Sequence, residues 1–154
     1  MKVNLTLLCS VTRCNESSIK IEMFDQTTPI YTGENLPDGP MRIDCQINWP
    51  TTVNIITSNK NPIDIEVVDI NGNIIKDKSI EVIGILINNF PINQDLIDKL
   101  FICQKKGSHN ITNENWWGFN GNIKIIFDQP NPTRYMLALK NEFNMSRLYW
   151  DLNE

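Results

Sequence analysis

The chain has 154 residues, with 14 Lys and Arg against 18 Asp and Glu and a formal net charge of −4. That length suits one domain over residues 1–154 burying about 70% of its unfolded surface, and ordinary apolar and charged fractions speak against wholesale disorder. The basic residues are dispersed, with Lys105-Lys106 the only adjacent pair, so nucleic acid is not an expected partner.

The 23 Ile and 21 Asn residues set the character of the sequence. Ile favours strands and Asn favours turns, so composition leans toward β structure. Met1-Lys2 precedes Val3, Leu5, Leu7 and Cys9, which alternate with their neighbours as a half-buried strand does. The apolar stretch is too short for a signal peptide, and Leu8 is too large before a processed Cys. No export signal is expected. The run from Val82 to Ile87 is far shorter than a membrane span, so no membrane partner is expected either.

In chain order, residues 3–12 read as the first strand and Ile19 to Phe24 as the second. Thr28-Pro29 and Leu36-Pro37-Asp38-Gly39-Pro40 bracket an irregular segment around Tyr31. Met41 to Trp49 alternates most cleanly, with Ile43, Cys45, Ile47 and Trp49 on one face. Val53 to Thr57 adds a short run. Ile63 to Ile70 and Ile74 to Ser79 flank Asn71-Gly72, a strong signal for a type I′ hairpin, and Ile80 to Asn88 follows as a buried strand. Asn93 is placed to cap a short helix from Gln94 to Ile102. A polar loop from Gln104 to Asn115 leads to the strand from Asn122 to Phe127. Asn131-Pro132 then suits a helix start, with Met136, Leu139 and Phe143 at helical spacing, before a last strand from Arg147 to Trp150. About eight strands and two short helices predict an all-β fold: an antiparallel sandwich of jelly-roll type. Ile43, Cys45, Ile47, Ile63, Ile65, Val67, Ile123, Ile125 and Phe127 are its expected core.

Four cysteines, Cys9, Cys14, Cys45 and Cys103, contain no CxxC, and with one His they make no zinc set. They read as buried free thiols. Four N-x-S/T triplets begin at Asn4, Asn15, Asn110 and Asn144, a number so Asn-rich a chain reaches by chance. Asp64, Glu66 and Asp69, with Asn71 and Asn73, cluster oxygens near one hairpin, the donor type calcium prefers. The glycine spacing departs from an EF-hand loop, so a solvated strand face is the expected role and no metal or other cofactor is assigned. His109 lies in a loop without a nucleophile motif. No catalytic residue is assigned, and paired carboxylates of a polysaccharide hydrolase remain the enzymatic alternative.

The densest feature is Glu114-Asn115-Trp116-Trp117-Gly118-Phe119-Asn120-Gly121. On extended backbone Trp116 and Trp117 face opposite ways, so one can fill the core while the other is exposed, although burial of both at a sandwich end, with their N–H groups satisfied, is the expected packing role. Aromatic faces stack on pyranose rings, and short amides bond hydroxyls or backbone. Asn115, Trp116, Trp117 and Asn120 are therefore the candidate surface for a surface glycan or a partner chain.

Trp117-Gly118-Phe119-Asn120-Gly121, an alternating strand, a proline-rich break and a hydrophobic final segment resemble small uncharacterised β-sandwich proteins of marine tailed phages. The resemblance covers the last third of the chain. It implies a non-enzymatic virion component, such as a capsid decoration, tail or fibre protein, assembled in the host cytoplasm. Its partners would be other virion proteins or further copies of itself, through exposed groups such as Tyr31, Trp116 or Tyr149.

Overall fold

Apolar–polar alternation lays down thirteen strand segments among the described residues. The computed structural model describes residues 1–61, 65–67, 71 and 74–153, without the side chains of 65–67, 74–76 and 143–153. The strands are β1 (Lys2–Thr12), β2 (Lys20–Asp25), β3 (Thr28–Gly33), β4 (Gly39–Asn48), β5 (Thr51–Ser58), β6 (Ile65–Val67) and β7 (Ile74–Asp77). They continue with β8 (Ser79–Ile87), β9 (Phe90–Pro91), β10 (Ile102–Lys105), β11 (Thr112–Asn113), β12 (Trp116–Trp117) and β13 (Gly121–Phe127). Two helices join them, α1 (Ile97–Leu100) and α2 (Pro132–Asn153).

The strands form an antiparallel β-sandwich. One sheet runs β12-β8-β1-β4, with β9 also paired to β8, and the other runs β11-β10-β13-β5-β2-β3. Inward residues of both sheets make one core: Val3, Leu5 and Leu7 of β1 and Ile43 and Ile47 of β4 meet Ile21 and Met23 of β2, Val53 of β5 and Ile123 of β13. Burying such side chains, at about 2 kcal/mol each, is what holds two twisted sheets face to face.

One bulge resolves a conflict of period in β8. Ile80 and Val82 point inward, as do Ile85 and Ile87, two sets that strict alternation would place on opposite faces. The register against β1 slips between Leu8 and Cys9, so that Leu8 faces Gly84 and Cys9 faces Val82. Ile83 is the extra residue, and both apolar pairs reach the core.

Asparagine does the work that glycine often does at turns. Asn15, Asn35, Asn59, Asn88 and Asn89 all have positive φ. Asn88 and Asn89 (φ 49° and 68°) form the two-residue loop between β8 and β9, the geometry of a type I′ turn. The strands expected to flank Asn71-Gly72 pair antiparallel as β6 and β7, and the turn itself lies outside the described residues apart from Asn71.

Several expectations are corrected. The segment around Tyr31 is the edge strand β3; Pro29 is tolerated at the sheet edge beside a register shift. Tyr31 packs half-buried against the core. The helix after Asn93 ends at Leu100, because Phe101 turns extended (φ −91°, ψ 122°) and enters the core, and Ile102 belongs to β10. The polar loop from Gln104 to Asn115 begins with the end of β10 and contains β11, whose Thr112 and Asn113 pair with Cys103 and Ile102. The proposed last strand, Arg147 to Trp150, is helical: α2 runs 22 residues to Asn153 with no Gly or Pro inside to stop it. Asn131 caps this helix, its Oδ1 accepting from the Arg134 N–H at 2.9 Å. No described helix is long and apolar enough to cross a membrane.

Of the expected core, Ile43, Ile47, Ile123, Ile125 and Phe127 are buried and Cys45 is half-buried. Ile63 and the side chains of Ile65 and Val67 lie outside the described residues. Trp49, Phe127 and Tyr135 close one end of the sandwich: Trp49 stacks on Phe127 at 4.7 Å, and Tyr135 of α2 meets both rings edge-on. All four cysteines are free thiols. Burial pushes the Cys9 thiol up to about 12. Burial, then the Asp44 and Asp25 charges, push Cys45 up to about 11.

Candidate ligand-binding surface

β12 is only two residues long, yet it decides where both tryptophans go. It pairs with the edge of β8, Trp116 opposite Glu81 and Trp117 opposite Ile80. Residues paired across a ladder share a face, and successive residues alternate. Trp117 therefore follows Ile80 into the core, where it is fully buried. Its indole N–H donates to the Glu114 carbonyl at 3.0 Å, and Phe101 meets its ring edge-on at 5.0 Å. Trp116 follows Glu81 to the outer face and stays 40% exposed.

Gly118 is the seat of the Trp116 ring. A Cβ built on Gly118 would collide with three carbons of the indole's six-membered ring. Only a residue without a side chain lets the ring lie so close to the main chain, which supports the indole from one side.

Asn115 and Asn120 are structural clasps. The Asn115 carbonyl accepts from the Val82 N–H at 2.8 Å, and its side-chain amide donates to the Val82 carbonyl at 3.0 Å. Together these bonds pin the start of β12 to β8. The Asn120 amide closes a reciprocal pair with the Lys60 backbone: its Oδ1 accepts from the N–H and its Nδ2 donates to the carbonyl, both at 2.8 Å. The structure thus brings Asn115 and Trp116 together at one sheet edge, sends Trp117 inward and commits Asn120 to a separate loop contact.

The residues beside Trp116 on the outer face were not singled out from the sequence. Glu81 separates Trp116 from Ser10 of β1, which in turn faces Pro40 of β4. Glu81 is exposed and Ser10 half-buried, so a carboxylate and a hydroxyl lie next to the ring in one row. Their signal was the single acidic residue inside the apolar run 80–87. Further along this face Asp44 accepts from the Thr6 hydroxyl at 2.7 Å and from Arg42 Nε at 2.9 Å. These contacts, the hydroxyl first, hold its carboxyl below the usual range.

His109 is exposed in the loop between β10 and β11. Among the described residues no group of three or more His, Cys, Asp or Glu side chains converges as a metal ion requires. Asp64, Asp69 and the side chain of Glu66 lie outside the described residues.

No family model and no curated protein matches the sequence. Solved structures do match the fold. The chain is similar to a carbohydrate-binding module described as vCBM60 in complex with galactobiose, with a TM-score of 0.51 and 13% identity, covering 80% of this chain and 97% of that one. It is similar also to the selenomethionine form of vCBM60, presented with a circular permutation linking two families of calcium-dependent carbohydrate-binding modules. That match has a TM-score of 0.53 and 11% identity, and covers 80% of this chain and 90% of the other.

Proposed function

We propose that this domain is a carbohydrate-binding module that recognises glycan without cleaving it. The observation that carries the proposal is Trp116, an exposed indole seated on Gly118 with Glu81 and Ser10 beside it. A supported aromatic ring stacks on the apolar face of a pyranose, and neighbouring oxygens take its hydroxyls. Support also comes from the β-sandwich shared, over 80% of the chain, with two solved structures of one carbohydrate-binding module, vCBM60.

The test compares the unaltered protein with Trp116→Ala on immobilised galacto-oligosaccharides and on a broader glycan array, with thermal unfolding run in parallel. One stacked ring contributes about 1 kcal/mol or more, so the substitution is expected to weaken binding roughly fivefold or further while the fold melts normally. Binding that is unchanged in the variant would remove Trp116 from the site. The particle-component role implied by the phage resemblance is the competing proposal, favoured by co-sedimentation with virions and no retention on any glycan.

A further inference from the structure

The outer face of the other sheet carries a trough assembled from β5, β10 and β13. Two depressions of about 600 Å³ and 380 Å³ share Ile56, Gln104 and Asn122, so they are continuous. Cross-strand register sets the floor: Ile56 faces Asn122, which faces Gln104, and one row further Asn54 faces Lys124. Lys105 and Lys106 enter at the end where β10 turns toward the 107–110 loop.

Charge is segregated here. The protein carries a net −4, yet the lining of both depressions contains three lysines and no Asp or Glu. Lys105 is spoken for, since its ammonium lies 3.4 Å from Glu114 and 5.2 Å from the Phe119 ring. Lys106 and Lys124 are exposed and have no carboxylate partner among the described residues. The nearest acidic residue along the floor, Glu22 opposite Ile56, is met by Lys20 at 3.7 Å.

We propose that this trough is a second binding site, separate from Trp116, and that its ligand is an anionic polysaccharide bearing carboxylate or sulfate groups. Lys106 adjoins Asn120 across the ladder and Lys124 lies four residues further along β13, a backbone separation of about 13 Å at strand rise. Charges that far apart do not converge on one small anion; they match separate charges along an extended polymer. Between them Asn54, Gln104 and Asn122 offer neutral amides for hydroxyls. The lining holds no aromatic ring, so base stacking, which single-stranded nucleic acid uses, has no platform. The trough lies on a sheet face, where a peptide cannot add itself as a strand.

Affinity electrophoresis through gels containing polygalacturonate, a sulfated galactan or neutral galactan tests the assignment, using the full chain. The variants are Lys106→Gln/Lys124→Gln, whose side chains are exposed, and Trp116→Ala. The expected result is retardation by both acidic polymers that falls at least tenfold in the double lysine variant and fades as salt rises. Trp116→Ala should retain that retardation, which separates this site from the tryptophan platform. Equal retardation by neutral galactan, no loss in the double lysine variant, no retardation by either acidic polymer, or competition by single-stranded DNA at equal charge concentration would each overturn the proposal.

Discussion

The indole of Trp116 lies across Gly118 so closely that this glycine admits no Cβ. One residue of the turn thereby sets the position of the exposed ring, and no hydrogen bond from the described residues holds it.

Gly118→Ala is expected to lift Trp116 from its seat and weaken glycan binding about tenfold, close to the effect of removing the ring. The stability cost should be about 1–3 kcal/mol, typical of forcing a methyl into an occupied space. Tryptophan fluorescence, read together with glycan affinity, checks this. A variant with unaltered emission and affinity would show that the ring does not depend on Gly118.

Trp117→Ala and Trp116→Ala should behave oppositely. Trp117 is fully buried, and truncating it leaves a cavity costing about 3–5 kcal/mol. Trp116→Ala should shift stability by less than about 1 kcal/mol, as exposed substitutions usually do. Chemical denaturation of both variants decides the point, and equal destabilisation would contradict the opposite placement of the two rings.

Asn120→Ala removes both bonds to the Lys60 backbone and should cost about 1–3 kcal/mol. Asn120→Asp keeps an acceptor for the Lys60 N–H but loses the donor to its carbonyl, so it should fall between the two. Urea unfolding midpoints give the order. If Asn120→Ala were neutral, the clasp would contribute nothing to holding β13 against the loop at Lys60.

The cysteines predict a pH dependence of known sign. Cys9 is held neutral by burial, its pKa pushed up to about 12, against about 8.5 in an unfolded chain. The folded state therefore binds the proton more tightly. The resulting stabilisation is complete below about pH 8.5 and is lost progressively as pH rises toward 12. Cys45, pushed up to about 11, adds to the same decline. A Cys9→Val variant should show a flatter stability profile above pH 8.5, and the native thiols should react with a disulfide reagent far more slowly than in urea. Rapid labelling of Cys9, Cys14 and Cys103 in the folded protein would contradict their burial.

Local pattern determined much of this protein. Alternation in residues 3–12 and 41–49 is enough to place β1 and β4, because a strand's period of two reads the same at any position in the fold. The cap at Asn131 and the opposed faces of Trp116 and Trp117 follow from equally local geometry. Tertiary contacts decided the rest. Residues 94–102 have helical spacing, but Phe101 and Cys103 gain more by alternating into the core, so the helix stops at Leu100. The bulge at Ile83 depends on β1 lying alongside, since nothing within 80–87 marks where the period should slip. Asn120 looked like a free amide, and only the approach of Lys60, sixty residues away in sequence, turned it into a clasp. The row from Trp116 through Glu81 to Ser10 exists because three distant strands share one register. Register between strands is set by packing across the whole sandwich, and no short stretch of sequence contains it.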